Sequence, residues 1–472
     1  HSFPTRRSSD LVGAQADALY EYASATFVFF IYNLLVSIMM NKMFLPILAL
    51  LSSYTHAEGL LDIYNLAKQK DPQLLESKAM RDQSFEKINE EQASFLPKIN
   101  LGLSANYVYD NLDMQTGSAT NSAINLEQSL YNSANWINLD LAAKNATLSD
   151  VSYVLEHQNL VLRTIQTYFN VLQAEDSLIY SQATKKAIQR QLAQTQQRFE
   201  VGLAAITDVH EAEAAFDQSF ADEIYAENTL ENSYEALREL TGLEHRKLNK
   251  LDTERFSPQK TLWKIDKWTD AAIEKNLALH QARIKKELAK MQIDLSKSGH
   301  KPLVDLTMGL SSTYNNYKDN TVNTDGYSNQ GDIGIKFSLP LYTGGATASQ
   351  VKQSSFDYVA ASEQLEKSYR SVMSAVKSSY NNVNASIGSV RAYQQAVVSA
   401  ESALKATEAG YEVGTRTIID VLDANRKLYD AKTKLAISRY SYIVNVATLK
   451  LNSGSLGKKE IIDIDNGLVN LR

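Results

Sequence analysis

The 472 residues contain no cysteine, which excludes a disulfide framework and a thiolate-held metal. Proline is scarce, at 7, and the intervals 98–257 and 341–472 contain none, which suits very long helices. There are 7 histidines, and those at 157, 210, 245, 280 and 300 lack the spacing of a metal site. A net charge of -6 gives no reason to expect nucleic acid. Neither a nucleophile elbow nor a phosphate loop is present: Gly344-Gly345 reads as a strand-to-helix turn. No enzymatic constellation and no cofactor is expected.

What the chain does have is a stretch that occurs twice. Phe199-Glu200-Val201-Gly202, three variable residues, then Ile206-Thr207-Asp208-Val209 returns as Tyr411-Glu412-Val413-Gly414, three variable residues, then Ile418-Ile419-Asp420-Val421. The register holds without a gap, so the chain is read as an internal duplication. Gly202 and Gly414, each after a long helical-period run, signal helix ends. Thr-Asp and Ile-Asp before new periodic runs signal helix starts. Each copy therefore predicts the tip of a long helical hairpin, near 199–209 and near 411–423.

The first repeat is placed at 58–242 and the second at 266–452, with a connection at 243–265 and a short polar tail at 453–472. Long helices are expected over Ser133 to about Arg198 and Ala346 to Ala409. Large apolar residues are sparse along them, which suits helices packed side by side as a hollow wall. Residues 1–39 share no pattern with the rest and are expected to be a non-native or untranslated upstream extension. The stretch 40–57 reads as a signal peptide: Met40-Asn41-Lys42-Met43, an apolar core to Leu51, and the A-x-A-like Thr55-His56-Ala57. Its rival is an anchor at 23–40.

Between the helices the hydrophobic period switches to two. Ile99, Leu101 and Leu103 alternate with Asn100, Gly102 and Ser104, and Ile333, Ile335 and Phe337 with Gly334, Lys336 and Ser338. Hairpins are expected at 97–131 and 302–342, with polar loops over Asp110–Asn121 and Asn315–Gln330. An apolar face with tyrosines near the strand ends is the outer-membrane barrel pattern, and Tyr107, Tyr109, Tyr131, Tyr314, Tyr317 and Tyr342 are the girdle candidates. Four strands cannot close such a barrel, and open edges in lipid leave backbone groups unpaired, so two, three or four copies must share one.

On Arg190-Gln191-Leu192, Gln197-Arg198-Phe199, Ser338-Leu339-Pro340-Leu341-Tyr342, Gln350-Val351-Lys352-Gln353 and the two tip motifs, the sequence resembles the TolC-type trimeric outer-membrane efflux and secretion ducts over essentially all of 58–452. The resemblance implies a mixed α and β membrane protein. In it a homotrimer shares a twelve-strand outer-membrane β-barrel, four strands per chain, continued by a long periplasmic α-helical barrel with a mixed equatorial belt. It implies the outer membrane of a Gram-negative bacterium, in contact with outer-membrane lipid. The implied partners are a periplasmic adaptor (membrane fusion) protein and an inner-membrane pump of RND, ABC or MFS type, for drug efflux or type I protein secretion. The competing reading is a non-conducting periplasm-spanning tether or coiled-coil adaptor, which needs no alternating strands.

The resemblance also assigns residues. Asp420 and Asp423, i and i+3 on one helical face, would form a selectivity ring at the periplasmic entrance, where cations could block; capping alone would explain Asp420. Like charges gathered about a symmetry axis are expected to raise some of their pKa values. Asp208 with Tyr411 and Arg416, and Gln191 with Glu408, would be the gate-closing links, with Thr207 adjoining them. Surface polar decoration is the bland alternative, since exposed ion pairs are individually weak.

Overall fold

The computed structural model describes residues 57–110, 115–259, 264–318 and 323–469. The expected upstream extension and signal peptide fall outside this range except for Ala57, as does the side chain of Tyr317.

The duplication is visible element by element. The first copy runs α1 (Leu60–Lys70), α2 (Pro72–Gln92), β1 (Lys98–Asp110), β2 (Gln115–Asn132), α3 (Ser133–Glu200) and α4 (Ile206–Thr241). After the short β3 (Lys250–Leu251), the second copy runs α5 (Ile265–Lys275), α6 (Leu277–Ser298), β4 (Leu303–Lys318), β5 (Asn323–Ser338), α7 (Ala346–Glu412) and α8 (Ile418–Asn452). The long helices have 68 and 67 residues, and their return helices 36 and 35.

Each copy opens with two helices broken at one residue. Asp71 (φ -61°, ψ 118°) ends α1, caps α2 by accepting from the Leu74 amide at 2.9 Å, and holds Arg163 at 2.8 Å. Asn276 (φ -67°, ψ 120°) does the same between α5 and α6, accepting from the Leu279 amide at 3.0 Å. The sequence points to the first break through Pro72. Leu277 gives no such signal, so 268–297 reads as one helix until the capping asparagine is seen.

The four long strands form one antiparallel sheet in the order β1-β2-β4-β5. Its register stacks Ile99, Leu126, Met308 and Ile333 in one cross-strand row and Leu101, Ile124 and Leu310 in the next. The alternate face stacks Asn100, Asn125, Gly309 and Asp332. The apolar face is bare: Ile99 and Leu101 are each 67% exposed and Ile333 75%. In water such a face would forgo roughly 1.5–3 kcal/mol per large side chain; in hydrocarbon it costs nothing. The strands also reach further than the sequence predicts. β2 begins at Gln115, β4 continues to Lys318 and β5 begins at Asn323, inside both expected polar loops. The ladder persists where both faces turn polar, because its backbone bonds do not depend on an apolar face.

The core sits part-way along α3. Val161, Ile165, Tyr168, Phe169 and Leu172 of α3 pack with Leu60, Ile63 and Tyr64 of α1 and with Tyr440 and Ile443 of α8. The Tyr168 hydroxyl donates to the Asn249 carbonyl at 2.8 Å, and that of Tyr440 to Asp176 at 2.6 Å. The polar tail is part of this core. It forms α9 (Lys458–Asp465) and β6 (Leu468–Val469), pairs β6 with β3, and buries Leu456, Ile461 and Leu468. Among the described residues no helix is long and apolar enough to cross a membrane.

Candidate functional site at the hairpin tips

The two tips have one backbone. Gly202 (φ 74°) and Gly414 (φ 79°) take the left-handed conformation one residue beyond the helix C-caps Val201 and Val413. Gly202 N donates to Phe199 O at 2.9 Å and Gly414 N to Tyr411 O at 3.1 Å; Leu203 and Thr415 each close back to the residue five before at 2.8 Å. These are the wrapped helix ends that satisfy free carbonyls, as the repeated glycine predicts.

The return helices start two residues before the aspartates, which makes Asp208 and Asp420 their third residues. Asp420 Oδ2 accepts from the Thr417 amide and hydroxyl, each at 2.9 Å, while Thr417 Oγ1 accepts from the Asp420 amide at 3.3 Å. Ala205 stands where Thr417 does, so among the described residues the Asp208 carboxylate keeps only the bond from the Ala205 amide at 3.3 Å.

Asp420 and Asp423 share a face as expected, but within one chain neither carboxyl is pushed up. Asp420 is held below the usual carboxylate range, chiefly by the Thr417 amide. Asp423 is held low chiefly by Lys427, at 2.6 Å, then by Arg426 at 2.7 Å. The expected upward shift would need carboxylates from other copies.

Tyr411 is buried with Ile418 and Val421. Among the described residues its side chain is bonded to neither Asp208 nor Arg416. Its contact is one the sequence reading missed: Arg198, on α3, stacks its guanidinium 4.6 Å from the Tyr411 ring centroid and points Nη1 at the Tyr411 carbonyl at 3.5 Å. Arg416 and Thr207 are exposed. Arg416 lies over Gly410, where a Cβ would stand 2.7 Å from Arg416 Cγ. Gln191 is buried with its amide nitrogen unpartnered, and Glu408 is exposed; the two do not meet within the chain. The one available signal for Arg198 is the mismatch between the repeats, since the corresponding residue of the second tip is Gly410.

The girdle candidates fall at the two ends of the sheet. Tyr107 and Tyr109 share the apolar face of β1 toward its loop end, and each is 73% exposed. Tyr314 pairs there with Tyr327, a residue of the expected polar loop that the structure places in β5; their ring centroids are 5.0 Å apart. Tyr131 and Tyr342 lie at the helical end, both exposed. From Ile99 to Tyr107 the strand rises about 26 Å, close to the apolar height of an outer membrane. Among the described residues no group of acidic or histidine side chains is placed to hold a metal.

Comparison with known proteins gives a consistent result. A family model described as outer membrane efflux protein matches the chain twice, over residues 63–243 and 268–455, once per repeat. The outer membrane protein TolC of Vibrio cholerae is 48% identical over 422 residues, covering 89% of this chain and 96% of that one. The proteases secretion protein PrtF of Dickeya chrysanthemi is 25% identical over 431 residues, covering 89% and 93%. The crystal structure of the Campylobacter jejuni CmeC outer membrane channel aligns with a TM-score of 0.72 at 15% identity, covering 87% and 90%, and so shares the fold.

Proposed function

Because the chain belongs to the outer membrane efflux protein family, we propose that it is a homotrimeric exit duct, used in drug efflux and type I protein secretion with a periplasmic adaptor and an inner-membrane pump. It resides in the outer membrane, with its helices extending into the periplasm, and it does no chemistry on its cargo. One observation carries the reading: a sheet with a bare apolar face and, among the described residues, two unpaired edges, β1 and β5, leads into helices of 68 and 67 residues. Unpaired edges are untenable in lipid, so copies join edge to edge, and three copies give twelve strands. Residues 40–57 are read as a signal peptide and residues 1–39 as a non-native or untranslated upstream extension.

The tips form the periplasmic gate in this reading. Asp420 and Asp423 from each chain make the cation-attracting ring. Asp208, Thr207, Tyr411 and Arg416 close it, and the unpartnered Gln191 amide is suited to Glu408 of a neighbouring copy. Weak links suit a gate that partner docking must open. The test is solute leakage and single-channel conductance of the purified protein in planar bilayers. A low-conductance channel is expected, and Tyr411→Phe with Arg416→Ser should raise its conductance. Absence of any conductance would favour the tether; a double variant as closed as wild type would reject the gate assignment alone.

A further inference from the structure

Resting on the duct reading, we infer that Arg198 is a positioning residue of the gate: it clamps the Tyr411 ring and thereby ties the first hairpin tip to the second within each chain.

The tips are built on one backbone but differ where they face each other. Arg198 is followed by Phe199, as Gly410 is by Tyr411, so the two tips match residue for residue here. In the first tip the residue before the aromatic is a long cation; in the second it is a glycine. Each choice has a local consequence. Gly410 is intrinsically less favourable in a helix than alanine, and the space it leaves is taken by Arg416. Arg198 reaches off its own helix to the other tip, with its guanidinium 4.6 Å from the Tyr411 ring and Nη1 at the Tyr411 carbonyl. That carbonyl also accepts from Gly414, so the cation sits on the helix end that forms the second turn. Among the described residues no other side-chain hydrogen bond, ion pair or ring contact joins residues 188–212 to residues 404–426.

Tyr411 in turn packs on Ile418 and Val421 of α8, the helix that carries Asp420 and Asp423. The chain of contact runs from α3 through Arg198 and Tyr411 to the start of α8. A cation over a ring at a partly exposed site shifts a two-state balance about two- to fivefold. Three such contacts released together shift it roughly tenfold to a hundredfold. The contact uses the tyrosine's ring, whereas the proposed link to Asp208 would use its hydroxyl, and substitutions separate the two.

The experiment is single-channel recording of the purified protein. Arg198→Ala is expected to raise open probability by roughly tenfold or more, with Arg198→Lys restoring most of the closure because it keeps a cation over the ring. The Arg198→Ala effect should persist in a Tyr411→Phe background, which keeps the ring, and vanish in a Tyr411→Ala background. If Arg198→Ala loses helical content, Arg198→Gln replaces it. Wild-type gating in Arg198→Ala, or an undiminished effect in Tyr411→Ala, would overturn the assignment and leave the duct standing. A wild-type protein that passes no current would overturn both.

Discussion

Asp423 illustrates how far a residue's role could be read in advance. Its position one turn into α8, on the face of Asp420, follows from spacing alone. Its partners do not, because Arg426 and Lys427 compete with any cation from the same helix, at 2.7 and 2.6 Å. A ring built from these carboxylates would therefore be partly neutralised from within. Replacing Arg426 and Lys427 by glutamine should strengthen cation selectivity and divalent block in bilayer recordings, whereas Asp420→Ala with Asp423→Ala should weaken both. Both carboxyls are held low, so they stay charged to a lower pH than a free aspartate; selectivity should persist at pH 5 and fade only as pH falls below about 4. Loss of selectivity near pH 5 would mean that carboxylates from several copies dominate. Arg198 was illegible for a related reason: a contact between the two tips depends on how the halves dock, which no local pattern encodes.

At the scale of elements, the long helices, the strands and the turn glycines were legible because each carries a period or a conformational demand. The break at Asn276 and the tail were not. Asn276 does with a side-chain cap what Asp71 does with a cap and a following proline, and α9 and β6 are too short for a period to register. The second break also explains an asymmetry between repeats. Gly242 and Gly454 occupy corresponding helix ends, at φ 72° and 74°. Nothing lies within 4 Å of a Cβ on Gly242, whereas one on Gly454 would stand 2.3 Å from the Lys275 carbonyl oxygen, beside the α5–α6 break. Gly242→Ala should cost about 1–2 kcal/mol, the ordinary strain of a left-handed residue. Gly454→Ala should cost more than about 3, since a backbone contact must also move. Thermal unfolding of the two variants checks this; equal losses would mean that the α5–α6 junction shifts freely.

For the whole molecule, the sequence pattern required several copies without fixing their number. The apolar rows and the edge strands β1 and β5 are what one segment of the proposed closed wall requires. Since the chain has no cysteine, cysteines introduced along β1 and β5 report on pairing without background. Oxidation in native membranes should give a ladder that stops at three chains; one that stops at two, or runs beyond three, would reject the threefold wall. The duplication itself imposes a further constraint. With 68 and 67 residues, α3 and α7 carry their turns to the same level, where Arg198 meets Tyr411. Deleting one residue from α3 alone would draw its tip back toward the membrane by about 1.5 Å and rotate it by about 100°. A change of seven residues, about two turns, would keep the facing, but only if α7 and both return helices changed with it. The reach of the protein below the membrane is thus specified twice in one chain, and the two specifications can drift only in step.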